Sequence, residues 1–284
     1  MAASPASASR GPRTLRFQVL GPLGVVRDGR PCTPSALKRR ALLAVLLLSA
    51  NRPVPVGQLI DELWDSRPPR SAVATLQMYV SGLRRALDPA HSAAHRDARS
   101  HPRLSTELAG YRLRVRPGEL DLERFRTLAA TGRRLVGDGR CGQAGVAFHR
   151  ALSLCRGRPL SDLGTVGMLT PFITRLAEER LAVQRESYET ALCQGHGPLV
   201  IGELKEQCVR HPLQETFHEQ LVLALCQAGR RAEALAAYAS ARRLIVGEIG
   251  VEPGPALRAA QRAALHDQYL VTARHPRCRA TAPI

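Results

Sequence analysis

The spacing of hydrophobic positions changes character along the chain. Leu15 to Leu20 and Gly24 to Arg27 are short apolar runs separated by Gly-Pro-Leu-Gly and followed by Asp28-Gly29, which predicts strands joined by tight turns. From Pro34 to Ala50 the period becomes helical, with Leu37, Ala41, Ala44 and Leu48 on one face. Val56 to Trp64 follows Pro-Val-Pro as a second, short helix. A third helix follows Arg67-Pro68-Pro69, runs from Ser71 to Leu87 and is stopped by Asp88-Pro89. Its positions Val73, Leu76, Val80, Leu83 and Leu87 form a stripe expected to be buried. Beyond a polar connection, Ala90 to Pro102, Leu104-Ser105 and Tyr111 to Val115 read as a hairpin turning at Ala109-Gly110. Strands, three helices and a closing hairpin are the layout of a winged helix with an extra N-terminal sheet.

After the Pro117-Gly118 step the pattern is helical almost throughout, and one spacing recurs. Gly139, Ala144, Phe148 and Ala151 are matched 90 residues later by Gly229, Ala234, Tyr238 and Ala241, with a degenerate copy at Gly195, Val200, Leu204 and Pro212 between them. Small residues at fixed offsets let paired helices approach while the aromatic fills the gap, as in tetratricopeptide-type repeats. The expected fold is therefore mainly α: an N-terminal winged helix-turn-helix with small β-sheets, then an all-α tetratricopeptide-like domain. Residues 14–117 form the first part and 121–270 the second, between a disordered N-terminus, 1–13, and a disordered tail, 271–284.

Charge adds a partner class to this outline. The 41 Lys+Arg residues exceed the 24 Asp+Glu residues and give a net charge of +17. Residues 1–120 hold 19 basic and 8 acidic side chains, so +11 of that excess lies in the shorter part. Such a field attracts nucleic acid or an anionic membrane surface. The longest apolar run, Ala41 to Leu48, is too short to span a bilayer, and Met1 to Arg13 lacks the apolar stretch of a signal peptide. A cytoplasmic, nucleoid-associated protein is expected. Seven scattered cysteines without a CxxC pair fit reduced thiols in that compartment.

The third helix gives the charge a use. Opposite its apolar stripe lie Thr75, Met78, Ser81, Gly82 and Arg85, small, polar or basic residues that allow a helix to approach base edges in a major groove. These are the expected base-reading residues, and Arg85 suits a bidentate contact to guanine. Lys38, Arg39, Arg40, Arg70, Arg84 and the wing residues Arg103 and Arg112 suit phosphate contacts, which position a protein on DNA without reading sequence.

Several runs are similar to the SARP family (Streptomyces antibiotic regulatory proteins). They are Phe17 to Leu23, Leu59 to Trp64, Leu76 to Leu87, Gly110 to Leu113, His211 to Glu215, Gly229 to Leu235 and Gly250 to Pro253. The resemblance covers about residues 15 to 270. It implies an OmpR-type winged helix followed by a bacterial transcriptional activation domain. It further implies activation of secondary-metabolite genes through direct repeats in double-stranded DNA near the promoter −35 element. The partners implied are RNA polymerase holoenzyme, through its sigma and alpha subunits, and a second protomer bound head-to-tail. The loop carrying Asp65, Ser66 and Arg67 is the implied polymerase contact. Gly82 departs from the family pattern, standing where a longer, often basic side chain is expected. The Gly-x4-Gly-Lys-[Ser/Thr] signature of the ATPase module found in larger relatives does not occur.

Other chemistries find little support. No nucleophile elbow or acidic pair is placed for catalysis, so an enzyme is not expected and no cofactor is implied. His91, His95 and His101, with Asp97, lack the spacing of a closed metal site. Two further readings stand beside the activator: a helical-repeat interaction module, and a metabolite sensor using the repeat concavity.

Overall fold

The computed structural model describes residues 14–64, 67–89, 101–163 and 169–266. The segments expected to be disordered, 1–13 and 271–284, lie outside these residues, as do Asp65, Ser66, His91, His95 and Asp97. The chain forms two units, one of residues up to Phe125 together with Leu154–Glu178, the other of Arg126–Ser153 together with the chain from Glu179 onward.

In the first unit β1 (Leu15–Gln18), β2 (Gly24–Arg27) and β3 (Arg30–Pro31) make an antiparallel sheet in that order, with Leu15 opposite Arg27 and Gln18 opposite Gly24. Leu15, Phe17 and Val25 point inward, as period-2 alternation requires. Three helices follow, α1 (Leu37–Leu48), α2 (Val56–Trp64) and α3 (Ala72–Leu87). Every residue of α1 from Ala41 to Leu47 is buried, because α2, α3 and the wing enclose it. The wing is the hairpin β5 (Leu104–Glu107) and β6 (Gly110–Leu113).

The Pro-Val-Pro triplet, read from sequence as a prelude to α2, is a strand. Labelled β4 (Pro53–Pro55), it pairs with β6, Val54 opposite Tyr111, to give the order β4-β6-β5. Proline lacks an N–H and is confined to sheet edges, which is where β4 lies. Gly110 permits the pairing, since a side chain there would collide with the Val54 carbonyl.

The turn between β1 and β2 gathers segments distant in sequence. Asp121, at the start of α4 (Asp121–Gly137), accepts hydrogen bonds from the Val19 N–H at 2.9 and 3.0 Å and from the Leu20 N–H at 3.1 Å. The Arg156 N–H donates to the Leu20 carbonyl (2.7 Å), and the Leu160 N–H to that of Gly21 (2.7 Å). Asp162 accepts from the Leu23 N–H at 2.8 Å. Leu160 is fully buried and holds a φ of 47°, a left-handed conformation rare for leucine that these bonds keep in place. Residues 154–163 thus belong to the core of the first unit, beyond the 14–117 span expected for a winged helix.

The second unit is helical. It holds the remainder of α4, α5 (Cys141–Leu152), the later part of α6 (Thr170–Cys193), α7 (Gly197–Arg210), α8 (Glu215–Gln227), α9 (Arg231–Ile249) and α10 (Pro255–His266). All three copies of the repeat share one turn. Gly139, Gly195 and Gly229 have φ of 75°, 75° and 71°, and the N–H after each returns to a carbonyl five residues back, at 2.9 Å in every case. This left-handed closure ends the first helix of each pair and starts the second. Phe148, Leu204 and Tyr238 then occupy equivalent buried positions. A Cβ on Gly132 would lie 2.5 Å from the Phe148 ring, so the ring uses the space that glycine leaves. Gly195 and Gly229 are 34 positions apart, the tetratricopeptide period. Gly139 and Gly195 are further apart because residues 154–178 leave to join the first unit. Arg126–Glu179 and Arg133–Glu186, both at 2.8 Å, join α4 to α6 at two positions one heptad apart.

Asp121→Ala leaves two buried N–H groups without their acceptor. A loss on the order of 2 kcal/mol or more is expected, visible in thermal unfolding of the full chain as a fall of about 5 °C or more. An unchanged melting temperature would remove Asp121 from this role.

Candidate nucleic-acid interface

The helix α3 rests on Ala72, Leu76, Val80, Leu83 and Leu87, all buried. Val73, expected in that stripe, is instead 51% exposed. The helix begins at Ala72, so the first inward position belongs to Ala72 and Val73 lies a helical step of about 100° further round. The exposed face comprises Ser71, Val73, Ala74, Gln77, Met78, Ser81 and Arg85. Met78, Ser81 and Arg85 of the expected readers are therefore displayed together, while Thr75 and Gly82 are half-buried at the flank. Val73, Ala74 and Gln77 were missed; the spacing Ala72-Leu76-Val80 was the signal that would have placed them outward.

The basic residues divide into two sets. Arg103 makes a two-pronged pair with Glu119, at 2.7 and 2.8 Å, and Arg40 is ion-paired with Asp162. Arg84 donates to the Leu104 carbonyl at 2.9 Å and to Thr106 Oγ1 at 2.8 Å, with Tyr111 beneath its guanidinium, so it fastens α3 to the wing. Lys38 donates to the Leu63 carbonyl near the end of α2. These four, expected to contact phosphates, each make a side-chain contact within the fold. Arg40 and Arg103 have their charge balanced by Asp162 and Glu119, whereas Lys38 bonds to a neutral oxygen and still adds to the positive field. Arg112 lies 3.4 Å from Glu107 on the wing, and both side chains are half-buried. Arg39, Arg70 and Arg85 form no hydrogen bond or ion pair with any described residue. Arg67 and Arg70 are exposed in the segment leading into α3.

The rest of the domain positions this face. Trp64, at the end of α2, stacks on Tyr79 of α3 with centroids 6.1 Å apart and planes 15° from parallel. His101 is buried, and its Nδ1 accepts the N–H of Arg103 and Leu104 at 3.2 and 3.0 Å, bracing the first wing strand. Leu108 stands fully exposed at the wing tip. Among the described residues no cluster of His, Cys, Asp or Glu is suited to a metal ion. No helix among them is long and apolar enough to cross a membrane. The second unit holds a cavity of about 200 Å³ lined by Arg133, Val136, Cys141, Phe148, Glu186, Glu189 and Thr190. That is below the range usual for a drug-sized ligand.

Comparison with known proteins matches both parts. Residues 33–98 fit the transcriptional regulatory protein, C-terminal family, and residues 120–265 the bacterial transcriptional activator domain. The chain is 37% identical over 251 residues to regulatory protein DnrI of Streptomyces peucetius, covering 88% of this chain and 92% of DnrI. It is 38% identical over 248 residues to regulatory protein AfsR of Streptomyces coelicolor, covering 87% of this chain and 24% of AfsR. The structure of Mycobacterium tuberculosis EmbR in complex with a low-affinity phosphopeptide aligns with a TM-score of 0.82 at 33% identity, over 92% of this chain and 69% of EmbR. The chain belongs to the SARP family.

This SARP is a DNA-binding transcriptional activator, with a winged helix of OmpR type and a helical activator domain. The face of α3 depends on Arg84. In the SARP, Arg84→Ala removes two hydrogen bonds between α3 and β5 and should cost about 1–2 kcal/mol, measured by denaturant unfolding. Arg84→Lys should not restore it, because a single ammonium does not reproduce the forked geometry.

Glu62 of α2 is buried in the same domain. Burial, with a smaller push from Asp61, raises its pKa above the ordinary glutamate value against the pull of a Gln58 hydrogen bond. As pH rises the unfolded chain ionises first, so the wild type loses stability from the ordinary glutamate range up through the raised value. Glu62→Gln should therefore be more stable than wild type at neutral pH, with the difference fading in acid. Equal pH dependence of the two melting curves would show that Glu62 does not titrate abnormally.

Proposed function

We propose that this SARP activates a secondary-metabolite (antibiotic) biosynthesis cluster by binding direct repeats beside the −35 element and recruiting RNA polymerase holoenzyme. The observation that carries the reading is the exposed face of α3, held on a buried stripe and clamped to the wing, with the Arg85 side chain extended from it and unpartnered among the described residues. Arg85 reads guanine, Gln77 suits an adenine edge, and the Val73, Ala74 and Met78 side chains suit thymine methyls. Arg39, Arg70 and Arg112 take phosphates, and the charge of Lys38 adds to the field.

Two protomers bind head-to-tail, because direct repeats about one helical turn apart present the same groove face twice. The segment between α2 and α3, where exposed Arg67 follows Asp65 and Ser66, touches polymerase, and the sigma and alpha subunits are its partners. The protein acts on the nucleoid within the cytoplasm.

Fluorescence anisotropy on promoter fragments with paired direct repeats, compared with scrambled repeats, tests the proposal. Tighter binding to the repeats is expected, with log K falling by roughly 0.9 per neutralised phosphate for each unit of log salt. Arg85→Ala should relax preference at one base pair by about 1–3 kcal/mol. Equal affinity for both fragments would overturn the repeat reading, and an unchanged preference in Arg85→Ala would overturn the role of that residue.

A further inference from the structure

Gly82 lies inside α3, a position where glycine is unfavourable relative to any ordinary helix former. The structure shows what occupies the space its missing side chain leaves. A Cβ built on Gly82 would sit 3.1 Å from Arg39 Nη1 and 3.3 Å from Arg39 Cδ, both tighter than ordinary contact. The Arg39 side chain therefore lies across the α3 backbone at this residue. Its neighbours Lys38 and Arg40 are held by the Leu63 carbonyl and by Asp162, yet Arg39 has no hydrogen bond or ion pair with any described residue. Met78, Ser81 and Arg85 are one helical turn or less from Gly82, so the guanidinium is delivered to the margin of the exposed face.

We infer that Gly82 is a positioning residue rather than a base reader, and that its lack of a side chain admits Arg39 of α1 across α3 to bind a DNA backbone phosphate. An unpartnered guanidinium with five fixed donors matches a phosphate better than a neutral base edge. The inference rests on the DNA-binding reading and adds an assignment to it.

A double-mutant cycle on the full chain tests the coupling, with wild type, Arg39→Ala, Gly82→Leu and the double variant bound to a labelled mixed-sequence duplex across a salt series. Phosphate contacts are insensitive to sequence, so no operator is needed. Each single variant should bind about three- to tenfold more weakly, with the salt slope reduced by about 0.9. The double variant should be no weaker than Arg39→Ala, since leucine at 82 then has nothing to displace. The melting temperature of Gly82→Leu should not fall, because leucine favours the helix, which separates displacement of Arg39 from loss of fold. Additive losses would mean that leucine obstructs DNA directly, and would overturn the inference. So would an Arg39→Ala variant with wild-type affinity and slope. Failure of the wild type itself to bind duplex at low salt would overturn the DNA-binding reading and this assignment together.

Discussion

Two N–H groups in the turn after β1 have no partner in their own sheet and need one where water does not reach. Asp121 supplies it from 102 and 101 residues away in sequence, and much of the first unit is organised around these bonds. The carboxylate is itself costly to bury: desolvation raises its pKa against the pull of the Val19 and Leu20 N–H groups and of Arg156. Arg156 and Leu160 satisfy neighbouring carbonyls of the same turn, and Asp162 reaches on to Leu23 and Arg40. The N-terminal sheet, the start of α4 and residues 154–163 are therefore one cooperative piece. The family boundaries, 33–98 and 120–265, cut through it, so fragments made at those limits would separate these donors from their acceptors.

The basic residues show why a net charge does not translate directly into a binding surface. Arg40 and Arg103 neutralise acids, Arg84 fastens the recognition helix to the wing, and Lys38 bonds a carbonyl of α2. Other arginines, Arg39, Arg70 and Arg85 among them, make no side-chain hydrogen bond or ion pair with any described residue. A guanidinium serves both uses because it stays charged while donating several hydrogen bonds.

Local rules made much of the fold readable. α2 occupies the residues its period marked, and the β2 run and the repeat glycines lie where spacing placed them. The misreadings have physical reasons. Val73 and Ala72 fit the same stripe, and only the true first turn of α3 decides between them. Proline marks a break in any window of sequence, yet at a sheet edge Pro53 and Pro55 are compatible with pairing to β6. Helical period reports which face is buried and not against which core, so the passage of residues 154–178 into the first unit left no local trace. On α3, the exposure of Met78, Ser81 and Arg85 was legible from the helical pattern. The partners of Arg40, Arg84 and Arg103 were not, because each depends on a residue brought near only by folding.

Lysine is nearly absent, occurring only at positions 38 and 205. The single lysine of the DNA-binding unit is already committed to the Leu63 carbonyl, and Lys205 lies in the other unit beside Glu233. Lysine acylation, which erases positive charge, can therefore remove at most one charge from this domain, that of Lys38. Almost all of its positive charge is carried by guanidinium groups, which acyl donors directed at amines do not neutralise.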